Sequence, residues 1–484
     1  MNKPLRRIAI FCGLLVLALL VRTNWLQYVE AEELNENDRN RRILIDRYAG
    51  ERGNIIVDGK PITGSVETDD TDFAFKRTYL DGPMWAPVTG YASQAFGANQ
   101  IEKLEDGILT GNSDQLFFDR TMAMFTGDKK KGGNVVTTLN GAAQKAAFKG
   151  LGKNKGAVAA IEPKTGKILA LASTPSYDPT SFAGYSATDE KAWKSLGADK
   201  NKPMLNRALR EVYPPGSTFK VLTAAAALEH GAVDDIEAPT DTPEPYMLPN
   251  TRTPMKNLVS GCENVSLQKA LEISCNSVFA QLGDKVGRDK MVETAEKFGF
   301  NNTELDIPVR AAGSVYDKEM DRSSNSLSSI GQFNTATTPL QMAMVTAAIA
   351  NDGKLMKPYM IDQLEAPNLD VIKKTDPQEM SRPLSQKNAQ LVQRMMENVV
   401  ENGSGKGSRI DGVKVGGKTG TAQHGENNSK RPYAWFISYA KTDNGSPVAV
   451  AVIVEDSDAE RENITGGGLA GPIAKKVMEA VLEK

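Results

Sequence analysis

Tyr213-Pro-Pro-Gly-Ser-Thr-Phe-Lys220, running on into Val221-Leu-Thr-Ala-Ala-Ala-Ala-Leu228, decides how the rest of this sequence is read. Pro214-Pro215-Gly216 breaks any regular element, and Ser217 to His230 is apolar nearly all round, the pattern of a buried helix. Ser217 is therefore expected at the N-terminus of that helix, with Lys220 three residues on and on the same face. A lysine amine can activate a hydroxyl nucleophile if it is held close and is neutral when it acts. The partial positive charge of a helix start favours an alkoxide and the oxyanion that follows it. Burial and a second nearby cation would both lower the Lys220 pKa towards neutrality.

The four-residue motif is weak alone, because Ser266-Leu-Gln-Lys269 matches it too, where Ser266 reads as a helix N-cap. Ser274-Cys-Asn276 likewise has a decoy in Ser323-Ser-Asn325, and Lys418-Thr-Gly420 one in Lys164-Thr-Gly166. Order separates them. Ser217, Ser274 and Lys418 follow the sequence of the Ser-x-x-Lys, Ser-x-Asn, Lys-Thr-Gly set, on a helix start, a helix-end loop and a strand. The decoy at Lys164 precedes the serine, in a hairpin turn. With only two histidines, His230 and His424, and no Cys/His cluster, a zinc site or a Ser-His-Asp triad has almost no residues to draw on, and no metal or cofactor is expected. Residues 412 to 419 match the phosphate-loop pattern, but residues 413 to 415 alternate like a strand and Gly420 interrupts any helix, so nucleotide binding is discounted.

Outward from this centre, 484 residues suggest two or three units, and a net charge of -2 provides no basic field for nucleic acid. Lys3, Arg6 and Arg7 precede an apolar run from Ile8 to Val21. Spanning a membrane takes about 20 residues, a length reached near Leu26 if Arg22 snorkels and Trp25 and Tyr28 sit at the interface. An uncleaved single-pass anchor is expected, with everything after residue 30 outside the cell membrane; the alternative, a cleaved signal peptide, puts its small-residue site at Val29 and Ala31, well past the run. Cys262 and Cys275 lie in the exported part, and both a bridge and two buried thiols stay open. A charged, glycine-rich joint at Gly127 to Gly133 marks a boundary, giving units at 1–30, 31–134 and 135–484. In the last, strands at 156–161 and 167–172, a buried helix at 339–350, strands at 413–421, 434–439 and 448–454, and a closing helix from Pro472 imply an α+β fold, an antiparallel sheet with helices on it.

With these residues in place, the chain resembles the class B penicillin-binding proteins, most closely their actinobacterial penicillin-binding protein A group. Ala157 to Ala172, Asn206-Arg-Ala208, Tyr213 to Lys220, Gly331-Gln332 and Thr338-Pro-Leu-Gln341 look like that family's transpeptidase domain; Arg52-Gly-Asn-Ile55, Thr89-Gly-Tyr91 and Gly97 look like its N-terminal pedestal, or dimerisation-like, domain. The resemblance implies a peptidoglycan D,D-transpeptidase that cross-links stem peptides between a D-Ala-D-Ala donor and an amine acceptor, is acylated by β-lactams, and works with division or elongation proteins. It implies Ser217 as nucleophile, Lys220 as base, Ser274 as proton relay, Asn276 as orienting side chain and Lys418 as a positive field. Thr419, Gly420 and Thr421 would line the donor's carboxylate site, with the N–H groups of Ser217 and Thr421 as oxyanion hole. The central cysteine of Ser274-Cys-Asn276 departs from the pattern and raises the prospect of a disulfide tying that loop. No Glu-x-x-x-Asn lies between Asn276 and Lys418, which argues against rapid hydrolysis of an acyl-enzyme. A D,D-carboxypeptidase, or a non-catalytic scaffold or β-lactam receptor, is the alternative.

Overall fold

The computed structural model describes residues 3–35, 41–116, 131–423 and 429–483; His424 and the 127–130 part of the glycine-rich joint lie outside them. Helix α1 (Lys3–Tyr28) carries an 18-residue window of mean hydropathy 2.1, none of it buried in the protein, and is long and apolar enough to cross a membrane. Two five-stranded sheets organise the rest. In chain order their strands are β1 (Ile55–Val57), β2 (Lys60–Pro61), β3 (Asn134–Thr137), β4 (Lys155–Ile161), β5 (Ile168–Thr174), β6 (Ile361–Glu365), β7 (Val371–Lys374), β8 (Lys414–Ala422), β9 (Tyr433–Thr442) and β10 (Gly445–Asp456).

The larger sheet is antiparallel throughout, in the order β8-β9-β10-β4-β5. Its strands are apolar at successive positions because both faces are covered. Along β9, Trp435, Ile437 and Tyr439 enter one core while Ala434, Phe436 and Ala440 enter the other. Helix α2 (Gly141–Leu151) and the closing helix cover the second face. On the first face lie α3 (Lys220–Glu229), α4 (Leu267–Ile273), α5 (Asn276–Val286), α6 (Pro339–Ala350) and α7 (Gln386–Glu401), with α8 (Gly471–Leu482) closing the chain. All twelve residues of α6 are buried, so its lack of a polar stripe is the signature of a helix packed on every side.

One local expectation changes. The helix after Pro215 starts at Lys220 rather than Ser217, because Gly216–Thr218 forms a 3₁₀ turn in which the Phe219 N–H reaches back to Gly216 O at 3.0 Å. Within residues 238–255 a small hairpin forms, Tyr246–Met247 paired with Pro254–Met255.

The smaller sheet runs β7-β6-β3-β1-β2. β1 pairs in parallel with β3, and β3 pairs antiparallel with β6, so a hairpin from far down the chain completes an N-terminal sheet; the 134/135 boundary falls within β3. Beneath this unit Glu102, wholly buried, receives Arg52 Nε and Arg77 Nε at 2.7 Å each. Burial pushes the Glu102 carboxyl up, but the two guanidiniums outweigh it and hold it below the ordinary value. Glu102→Ala takes the shared carboxylate from two buried cations, with Arg52 keeping Asp106 at 2.7 Å, and is expected to destabilise the fold by about 3–5 kcal/mol in a denaturant titration of the purified chain. A loss below about 1 kcal/mol, the size of a surface pair, would show that the arginines find other partners.

Candidate active site

The Ser217 turn is built on close backbone approaches. Gly216 has φ +55°, and a Cβ there would lie 3.2 Å from Ala422 Cβ at the end of β8; a Cβ on Gly331 (φ +73°) would lie 2.2 Å from Gly216 O. Only glycine at both positions allows the turn to sit between the Gly331 loop and the sheet edge. Gly216 N–H donates to Gly331 O at 3.0 Å, Trp435 Nε1 to Pro214 O at 3.1 Å, and Thr218 Oγ1 to Pro215 O at 2.8 Å. Ser217 is thereby left half-buried on a fixed turn, one step before a helix whose first residue is Lys220.

Lys220 is wholly buried. Its Nζ lies 2.8 Å from Ser274 O, 2.7 Å from Asn276 Oδ1 and 3.2 Å from Ser274 Oγ. Burial, and then the Lys418 charge, push its pKa well below the usual lysine value. A neutral amine has two N–H groups and one lone pair. The two short contacts take the N–H groups and leave the lone pair to accept from a hydroxyl. Lys418, also wholly buried, approaches the same Ser274 Oγ at 2.9 Å and the carbonyl of the next residue, Thr419 O, at 3.0 Å; burial lowers its pKa to about 7. One hydroxyl thus sits between two lysines that burial has made easy to deprotonate.

Ser274 meets both because it ends α4 in the left-handed conformation, φ 65°, a backbone state that costs a non-glycine residue and recurs at functional sites. Asn276 opens α5, and Asn276 Nδ2 donates to Lys256 O at 2.8 Å. Cys275 between them is joined to Cys262 in a disulfide. From the other side, β8 brings Lys418, Thr419, Gly420 and Thr421 past the turn. A Cβ on Gly420 would lie 3.0 Å from both Pro215 O and Thr218 Cγ2, so strand and turn are in contact, with Thr419 and Thr421 half-buried at the edge.

The decoys lie elsewhere. Ser266 caps α4 through the Lys269 N–H, Ser323 and Asn325 lie in the helix Arg322–Ser328, and Lys164 to Gly166 form the turn joining β4 to β5. Residues 412 to 419 run into β8 rather than a helix. His230 ends α3 with Nε2 3.0 Å from Thr294 Oγ1. Among the described residues no group of three or more His, Cys, Asp or Glu is placed to hold a metal ion. Sequence reasoning passed over two contributors. Ser404, in the polar Gly403–Ser408 stretch, has its Oγ 2.6 Å from Thr419 Oγ1, and Asn257 binds the start of α5. Neither belongs to a motif; only the glycine-rich setting of Ser404 marks it as a close-packed loop.

Residues 156–479 match the penicillin binding protein transpeptidase domain, and residues 52–135 the penicillin binding protein A dimerisation domain. The peptidoglycan D,D-transpeptidase PbpA of Mycolicibacterium smegmatis is 39% identical, with 100% of each chain covered. PbpA of Mycobacterium tuberculosis H37Rv is 39% identical over 100% of this chain and 99% of that one. Among solved structures, the ceftriaxone acyl-enzyme complex of M. tuberculosis penicillin-binding protein A superposes with a TM-score of 0.85 at 39% identity, covering 90% of this chain and all of the other.

Proposed function

The chain belongs to the penicillin-binding protein transpeptidase family, and from that premise we propose that it is a membrane-anchored peptidoglycan D,D-transpeptidase working through a Ser217 acyl-enzyme. The observation that carries this is the convergence of Lys220, Asn276 and Lys418 around Ser274 beside the Ser217 turn. Ser217 Oγ attacks the carbonyl carbon between the two terminal D-alanines, and Lys220 takes its proton. The oxyanion forms against the N–H groups of Ser217 and Thr421. As the C–N bond breaks, Ser274 hands a proton to the departing D-alanine amine, and the proton on Lys220 replaces it. An acceptor amine then attacks the Ser217 ester by the reverse path, which restores the Ser217 hydroxyl and leaves a new peptide bond between stems. Thr419 and Thr421 hold the donor's carboxylate, with Lys418 providing the compensating charge.

Helix α1 serves as a single-pass anchor. Lys3, Arg6 and Arg7 keep its start in the cytoplasm and place residues 31–134, the pedestal, and 135–484, the catalytic unit, on the outer face, where division or elongation proteins recruit them. The test combines two assays on the purified full-length chain. A fluorescent penicillin should label it covalently, and lipid-linked donor and acceptor strands should yield cross-linked dimers. Release of free D-alanine with no dimer would make it a carboxypeptidase; no label and no product would leave a scaffold.

A further inference from the structure

Helix α5, which carries Asn276, lacks a cap of its own. Its N-cap residue is Cys275, whose side chain makes no capping bond and whose sulfur is committed to the bridge with Cys262. The first N–H groups of any helix need acceptors from elsewhere. Here they come from another segment: Asn257 Oδ1 accepts from Asn276 N at 2.7 Å and from Ser277 N at 3.0 Å. Asn257 Nδ2 donates to Glu244 Oε1 at 2.9 Å and to Ser277 Oγ at 3.0 Å, and Glu244 Oε2 accepts the Cys262 N–H at 3.1 Å. The neighbouring carbonyl, Lys256 O, takes Asn276 Nδ2, which leaves Asn276 Oδ1 as the atom facing Lys220 Nζ at 2.7 Å. Two consecutive residues therefore fix both the backbone and the amide orientation of Asn276. Leu258 after them is exposed and Met255 before them is buried, so this bonding, with the disulfide and the Met255 anchor, holds the segment against the site.

We propose that Asn257 is a positioning residue for acyl transfer: it holds Asn276 so that Oδ1 engages Lys220 and the amine's remaining lone pair is aimed at the reacting hydroxyl. The inference rests on the acyl-transfer role proposed for Lys220 and Asn276. A merely structural cap would lower the melting temperature of a variant and leave the chemistry of its folded fraction alone. A positioning role separates binding from chemistry, because misplacing a reacting group by about 1 Å costs on the order of 10²-fold in rate.

The experiment is a time course of acylation by fluorescent penicillin, using the full-length chain in detergent, with active fraction titrated and melting temperature recorded for each protein. For Asn257→Ala the acylation rate constant is expected to fall about 10- to 100-fold, while the dissociation constant of the initial complex stays within about twofold. Asn257→Asp retains the acceptor for both N–H groups but sets a carboxylate against Glu244, and is expected to be similarly slow. Adding Glu244→Gln to it returns a donor to that contact, and the double variant should recover most of the wild-type rate. A wild-type rate constant in Asn257→Ala, or a double variant no faster than Asn257→Asp alone, would overturn the inference. If wild type itself takes no label, the role proposed for Lys220 and Asn276 fails first, and this inference with it.

Discussion

Ser217→Ala is expected to abolish covalent labelling by penicillin and to lower cross-linking by on the order of 10⁶, the scale seen when the nucleophile of an acyl-transfer site is removed. The size follows from the absence of a substitute. Serines 274 and 404 also lie near the site, but Ser274 Oγ is held by Lys418 and Lys220, and Ser404 Oγ faces Thr419. The variant should keep its fold, since Ser217 is half-buried and the turn is held by Gly216, Pro214 and Thr218 rather than by its hydroxyl. Reversible, non-covalent binding of a β-lactam should therefore persist. Mass spectrometry of the intact protein after incubation with penicillin reads the outcome directly, and an adduct on the alanine variant would place the nucleophile elsewhere.

Lys220→Ala should lower the acylation rate constant by about 10⁴, the upper range for loss of a positioned base. The pH dependence identifies the cause. Lys220 acts as a base and must be neutral, so in the wild type the rate should climb with pH as its lowered pKa is passed. Lys418 must stay charged to counter the donor's carboxylate, so the rate should fall again as pH rises through about 7 and that ammonium loses its proton. The two limbs belong to an interacting pair, and each reports the pair's macroscopic behaviour. In Lys220→Ala the ascending limb should vanish from the residual rate and the descending limb should remain. Survival of an unchanged ascending limb would mean that another group takes the Ser217 proton.

Much of this is legible in the amino-acid sequence. The Ala-rich run after Lys220, the uniformly apolar α6 and the strands β8 to β10 stand out because a helix or strand buried on every side must be apolar without a polar stripe. Motif order picks out Ser217, Lys220, Ser274, Asn276 and Lys418; in the structure the last four are joined by hydrogen bonds, and Ser217 lies on the turn that packs against β8. The start of α3 was misjudged by three residues because a 3₁₀ turn leaves no mark on hydrophobic periodicity. Asn257 stayed hidden for a different reason. Its acceptors and donors lie on two other segments, at Glu244 and at Asn276–Ser277, and only the folded chain reveals that Cys275 fails to cap its own helix. The pairing of β3 with β6 escaped in the same way: strand composition marks an element but does not name a partner so distant in the chain.

That pairing also bears on the order in which the protein can assemble at the membrane. Domains generally fold as they leave the ribosome, N-terminal first. Here β1, β2 and β3 emerge early, yet the neighbours that complete their sheet, β6 and β7, arrive only after most of the later helices have been made. Until then one side of β3 is an open strand edge, able to recruit any extended segment within reach. The chain must keep that edge apart from neighbouring nascent copies until Glu365 and Lys374 have crossed. A fragment ending at 134 would lose Val135 to Thr137 of β3 and leave the edge of β1 open instead.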